Sequence, residues 1–236
     1  MTWALIEPGF GGDYWPEVEM KAYDEVLADY WHNEISDEDK KERFQAISTY
    51  EHFVALKFSK EIGTSPFGRV LTPLLEHEAP TVVEAQKSYK NLASMIRIGH
   101  WAVDEALKAI IEEIEPGVHQ FWPVTITMPR GKTYPKEYYV MVIGTFLDSF
   151  RPEACAEGLV TRTVKNEHFH FNEIKLAMKK ADYAGLAFSK AAIGDHHLWR
   201  ERTLRSWPEF MMSDKLKEAI DAAGLRMPKL YPVKDV

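Results

Sequence analysis

Along this chain the spacing of apolar residues switches between a strand-like period of two and a helical period of about 3.6. Residues 3–7, opening Trp3-Ala4-Leu5, read as a short strand, and Pro8-Gly9-Phe10-Gly11-Gly12 as a turn. From Pro16 the residues Val18, Ala22, Tyr23, Val26, Leu27, Tyr30 and Trp31 recur on one face, which predicts a helix with an apolar stripe. Ser36 with Asp39 forms a capping box for a second, more polar helix running toward Ile47. His52-Phe53-Val54-Ala55-Leu56-Lys57-Phe58 reads as a strand. Residues 63–80 carry Gly63, Pro66, Gly68, Pro73 and Pro80 and read as irregular surface, although Val70, Leu71, Leu74 and Leu75 need something to pack against. Further strands are predicted over 120–128, 138–147, 159–164, 168–171, 186–189 and 197–200.

Two segments repeat one pattern. Residues 106–124 align without gaps on 215–233, with Leu107/Leu216, Lys108/Lys217, Ile111/Ile220, Pro123/Pro232 and Val124/Val233 identical. Each copy reads as a strand end, a one-faced helix, then a strand finishing aromatic-Pro-Val. Ser213 is a good N-cap, Asp214 suits the positive helix end, and Gly224 sits where a helix-terminating glycine belongs. Neither Pro123 nor Pro232 can donate to a ladder, so both are expected at an edge or a bulge. The architecture that follows is α+β: a largely antiparallel twisted sheet, amphipathic helices on one side of it, and an internal strand-helix-strand repeat. We expect a single α+β domain over residues 1–236, more helical in its first third (1–79) than in the remainder (80–236).

Composition narrows the chemistry. The 236 residues are 45% apolar, enough for one sizeable core or two small ones, and no stretch approaches the roughly 20 apolar residues of a membrane span. Residues 1–7 lack the basic start and long apolar run of a secretory leader. The lone Cys155 has no internal partner, which fits a reducing cytoplasm. With 36 acidic and 29 basic residues the formal charge is -7. That argues against nucleic acid as a ligand and suits a basic protein partner.

Candidate catalytic groups are few. His168-Phe169-His170 on a strand would point two imidazoles the same way, with Glu167 or Glu173 and one of His196 and His197 as further ligands. Adjacent His196 and His197 face opposite ways, and no HExxH helix is present, so no metal site and no cofactor are expected. Gly9-Phe10-Gly11-Gly12 lacks the third glycine of a dinucleotide fingerprint, since position 14 is Tyr14. P-loop and GxSxG patterns are absent, and only Arg151 near Cys155 could activate the thiol. The aromatic-basic run Trp199, Arg200 and Arg202, with Arg205 and Trp207, has the residue types of binding hot spots and is the candidate partner-binding surface. Its alternative is that Leu198 and Trp199 are core beside a solvated strand edge.

Four stretches then carry a resemblance. They are Tyr138-Tyr139-Val140-Met141-Val142-Ile143 leading to Leu147-Asp148-Ser149; His197-Leu198-Trp199-Arg200; Met212-Ser213-Asp214-Lys215-Leu216 followed by Ala222-Ala223-Gly224-Leu225; and Phe121-Trp122-Pro123-Val124. In these, from about Pro80 to Val233, the chain resembles the bacterial immunity proteins of polymorphic toxin systems grouped as immunity protein family eleven. It departs after Gly224-Leu225, where Arg226-Met227-Pro228-Lys229 stands in place of a second glycine and an aromatic. The resemblance implies a non-enzymatic protein of the cytoplasm that binds and neutralises a cognate toxin, the product of a neighbouring gene, and it brings no catalytic residues. A small metal-dependent hydrolase using His168 and His170, and a self-associating scaffold (a homo-oligomer), stay open as alternatives at this stage.

Overall fold

A computed structural model of the chain describes residues 1–43, 49–58, 74–165, 170–175, 179–204, 208 and 210–236. The N-terminal part holds β1 (Thr2–Leu5), β2 (Val18–Glu19), α1 (Lys21–Asn33), α2 (Asp37–Arg43) and α3 (Tyr50–Phe58). Next come β3 (Val82–Ala85), β4 (Met95–Ile98), β5 (His100–Asp104), α4 (Glu105–Ile114), β6 (Gln120–Met128), β7 (Lys132–Thr133), β8 (Tyr138–Val142) and β9 (Phe146–Leu147). The hairpin β10 (Val160–Lys165) and β11 (His170–Ile174) precedes α5 (Lys180–Tyr183), β12 (Ala187–Phe188) and α6 (Lys190–Ile193). The chain closes with β13 (Leu198–Glu201), β14 (Met211–Ser213), α7 (Asp214–Ala222) and β15 (Leu230–Asp235).

The fold is α+β, and its strands divide between two sheets. One runs β12-β15-β1-β14-β13-β9, the other β2-β3-β6-β8-β5-β4 with β7 on β6, and β10-β11 stands apart. Pairing is antiparallel except at β12/β15, β13/β9 and β3/β6. Side chains alternate across each strand, so every strand feeds two layers. Leu5, Leu198 and Met212 of the first sheet meet Met95, Trp101, Val103 and Met141 of the second in one shared core, filled by Leu107 and Ile111 of α4 and Leu216 and Ile220 of α7. Burying each of these helix side chains contributes roughly 1.5–3 kcal/mol. The second sheet's other face packs Ile96, Ala102 and Val140 on Tyr23 and Leu27 of α1 and Tyr50 and Val54 of α3. The first sheet's other face packs Ala4, Trp199 and Met211 on Tyr183 of α5 and Ile193 of α6. Helices therefore lie on both faces of each sheet, not on one side as expected.

The repeat read from the sequence is a repeat of structure. In β5-α4-β6 and in β14-α7-β15 the two strands flank a single antiparallel strand, β8 in one case and β1 in the other. The registers coincide: Asp104, Tyr138 and Val124 line up as Ser213, Thr2 and Val233 do, and Val103, Tyr139 and Pro123 as Met212, Trp3 and Pro232 do. Asp104 caps α4 by accepting from the Leu107 amide at 3.1 Å, and Ser213 caps α7 by accepting from the Leu216 amide at 3.3 Å. Lys108 Nζ lies 4.9 Å from the Tyr139 ring centre, and Lys217 Nζ 4.8 Å from that of Trp3. The match extends outward, since Met95 and Ile96 pair with β5 as Leu198 and Trp199 pair with β14.

The two units exchange segments. The central strand of the C-terminal unit is the first strand of the chain. The chain leaving β1 then crosses to the other sheet, where Tyr14 O accepts from the Arg97 amide at 2.9 Å on the edge of β4. The chain leaving β8 crosses the opposite way, where Thr145 O accepts from the Arg200 amide at 3.0 Å on β13. Equivalent residues also meet in the middle: the rings of Trp101 and Phe210 pack edge to face at 5.1 Å, and α4 lies on α7.

Three local expectations change. Residues 18–19 form β2, and α1 begins at Lys21 rather than near Pro16. The run expected as a strand over 52–58 is helix α3, because Tyr50, Val54 and Lys57 recur at helical spacing on its buried face. The strand expected over 138–147 breaks into β8 and β9 around Gly144, whose missing Cβ lets the Val118 carbonyl approach. Pro123 and Pro232 lie in internal strands, but pairing with β3 starts only at Thr125 and with β12 only at Lys234, so each proline sits where its strand is locally an edge. Ser36 caps α2 as expected: its Oγ accepts from the Asp39 amide at 3.1 Å and donates to the Asp39 carboxylate at 2.9 Å. Continuation of that helix toward Ile47, and most of 63–80, lie outside the described residues.

Candidate partner-binding surface

Of the residues expected to form one aromatic-basic surface, Trp199 and Arg200 are buried and Arg202 is exposed. Trp199 is fully buried in the layer with Phe188 and Met211, and Arg200 is 3% exposed. The reason is β9: it pairs with β13 at Arg200 and Glu201, so β13 is an internal strand and all of Leu198-Trp199-Arg200-Glu201 is covered. Arg202, just past the strand end, is exposed, with its Nε 3.9 Å from Asp148. Arg205 and Trp207 lie outside the described residues. The alternation of apolar and charged types suggested a half-exposed edge; a two-residue strand distant in sequence removed that edge, and nothing local announces it.

The carboxylates nearest this strand are built into the fold. Glu201 accepts from the Ser149 amide at 2.8 Å and from Ser149 Oγ at 2.5 Å. Burial pushes its carboxyl up to about 7, against the hydrogen bonds from Ser149 and the Phe150 amide that pull it down, with Asp148 pushing it further up. Glu115, at the end of α4, accepts from the amides of His197 and Leu198 at 2.7 and 2.9 Å and meets His119 Nε2 at 2.9 Å. Burial raises its pKa, but these hydrogen bonds and His119 outweigh that and hold it below the usual range. It thereby ties the first unit to the start of β13. At the helical end, the fully buried Glu78 receives Lys57 Nζ at 2.6 and 2.7 Å, Tyr50 Oη at 2.6 Å and the Leu75 amide at 2.7 Å. Such a pair persists because every lone pair is satisfied.

Histidines and the cysteine are dispersed. His170 is exposed on β11, and His168 and Glu167 lie outside the described residues. His197 Nδ1 meets Ser213 Oγ at 2.7 Å, whereas His196 lies 3.9 Å from Glu115; both precede β13, which begins at Leu198. Among the described residues no three His, Cys, Asp or Glu side chains converge as metal ligands. Burial raises the Cys155 thiol, the direction of an unreactive cysteine. Gly11, with φ of 88°, turns the chain in 9–12 toward β2.

What remains at the surface is uneven. Tyr23 and Leu27 of α1 enter the core, while Ala22, Glu25, Val26 and Asp29 stay exposed, Val26 at 49%. The sequence pattern had placed Ala22 and Val26 on the apolar core stripe. Their exposure was legible only as a second stripe interleaved with acids. A shallow groove of about 350 Å³ runs over Ala22, Glu25, Val26, Asp29, Tyr30 and Glu34. A second depression of about 640 Å³ lies where β6 and β8 part, over Pro123, Thr125, Tyr134 and Tyr139. There the cation Lys136 is paired with Asp104 at 3.4 Å.

No helix among the described residues is long and apolar enough to cross a membrane. No curated protein matches the chain. Residues 17–235 match the family model described as Immunity protein family (Imm11), so the match extends through the helical N-terminal part and not only the region after Pro80.

Proposed function

The chain belongs to the Imm11 immunity protein family, and on that premise we propose that it binds a cognate toxin of a bacterial polymorphic toxin system and neutralises it by occlusion, without chemistry of its own. The family match over nearly the whole chain carries this reading. The packed two-sheet scaffold supports it, because a surface held by filled cores loses little ordering entropy on binding. Occlusion of a toxin calls for an interface of roughly 1,200–2,000 Å² in total. The working compartment is the cytoplasm, where a lone thiol such as Cys155 stays reduced.

The test is co-expression with the toxin encoded by the neighbouring gene. Cells carrying the toxin and this chain should grow, and purified chain should titrate toxin activity to zero near equal stoichiometry. Growth arrest despite full expression of both proteins would overturn the reading.

A further inference from the structure

We propose that the outer face of α1 is the docking surface for the toxin and that it receives a Lys/Arg-rich segment. This rests on the toxin-binding reading above. Ala22, Val26, Tyr30 and Glu34 recur every four residues with Glu25 and Asp29 beside them, so the six make a continuous stripe along about 18 Å of helix. Its floor is apolar, with Val26 at 49% exposure, and its rim is carboxylate. Asp24 on the same helix, Glu38 on α2 and Glu51 on α3 are exposed acids of the same helical layer. Among the described residues none of these carboxylates has a cationic partner. Lys40 of the same layer is paired with Asp37 at 3.6 Å and lies over the Trp31 ring.

This charge pattern works against the helix that carries it. Glu25 and Asp29 are like charges one turn apart, and Glu34 places a carboxylate at the negative end of the helix dipole. By contrast α4 and α7 each pair one outward acid within the helix, Glu112 with Lys108 and Asp221 with Lys217. A basic partner relieves the repulsion along α1, and an apolar side chain flanked by Lys or Arg fills the groove over Val26.

The experiment uses the full chain and the purified toxin from the neighbouring gene, with affinity and association rate followed as salt rises. Glu25→Lys/Asp29→Lys/Glu34→Lys should weaken binding by about 100-fold or more near physiological ionic strength, chiefly through slower association. Val26→Arg should weaken it by about 10-fold. Glu113→Lys/Glu157→Lys/Glu218→Lys, an equal change of net charge at exposed sites elsewhere, should change it less than about 3-fold. Should the α1 reversal fail to fold, Glu25→Gln/Asp29→Asn/Glu34→Gln is read instead, with about a 10-fold loss expected. If the α1 variants bind as tightly as the control, the docking assignment is wrong while the toxin-binding function stands. If the unmodified chain does not bind the toxin at all, both fall.

Discussion

Replacing Glu201 by Gln should stabilise the protein selectively at high pH. The carboxyl lies 2% exposed, hydrogen-bonded to Ser149, and burial raises it from 4.5 to about 7. Below about pH 4.5 both folded and unfolded chains hold the proton, and its contribution is constant. Between 4.5 and 7 the unfolded chain releases the proton while the folded chain keeps it, so stability falls as pH rises. Above about pH 7 the loss is complete. At about 1.4 kcal/mol per pH unit, that window is worth on the order of 3 kcal/mol. His100 acts in the opposite sense: burial, with Arg97 and Arg200, lowers it to about 3, so its contribution rises with pH up to 6.5. The wild-type profile therefore mixes two slopes. Urea denaturation of wild type and Glu201→Gln at about pH 5 and about pH 8 separates them, because His100 cancels in the difference. The gap between variant and wild type should shift by about 2–3 kcal/mol in favour of the variant on going to the higher pH. A gap that is the same at both pH values would refute the idea that the folded protein holds a proton on Glu201.

Glu115→Ala leaves two backbone amides, His197 and Leu198, without their acceptor. It should cost about 3 kcal/mol in urea unfolding, and Glu115→Gln, which keeps one acceptor, less. Trp199→Ala should lower stability by about 3–5 kcal/mol as any large core truncation does, whereas Arg202→Ala should leave the melting temperature within a degree or two, since its ion pair with Asp148 is exposed. Leu107→Ala and Leu216→Ala should each cost about 2–5 kcal/mol. Because both line the core shared by α4 and α7, the double variant should depart from additivity by about 0.5 kcal/mol or more.

The legible parts of the fold were those whose signal is local. The apolar stripes of α4 and α7, the N-cap Ser213, and strand β6 over 120–128 all follow from short-range spacing and side-chain chemistry. The internal repeat was visible because its two helices and their following strands match in type at fixed spacing. Its central strands were not: Thr2-Trp3-Ala4-Leu5 and Tyr138-Tyr139-Val140-Met141 share little beyond alternation, and they are equivalent only through partners far along the chain. The same blindness hid the burial of Trp199 and Arg200. Arg200 carries a charge, and charged residues are rarely fully buried, so an exposed edge was the natural reading. Only the pairing of β9 with β13 reverses it. Helix α3 was misread for a different reason, because a run as short and apolar as 52–58 fits either period.

The exchange of segments also bears on where binding specificity can lie. In the first unit β2 pairs antiparallel with β3, Val18 opposite Ala85. In the second Phe150 bridges β12 antiparallel, opposite Phe188. Up to these points, and again from β4 and β13 onward, the two units follow the same plan. Between them they differ entirely: the first unit inserts α1, α2 and α3, the second inserts the hairpin β10-β11 and α5. The repeated parts are constrained by each other, since a change in β1 must suit both β14 and β15, and a change in β8 both β5 and β6. The insertions carry no such double constraint. Each packs on the outer face of a sheet, so its outward surface can vary without disturbing the core between the sheets. That freedom is what a partner-specific surface needs, and the acidic stripe of α1 lies on one of the two segments that have it.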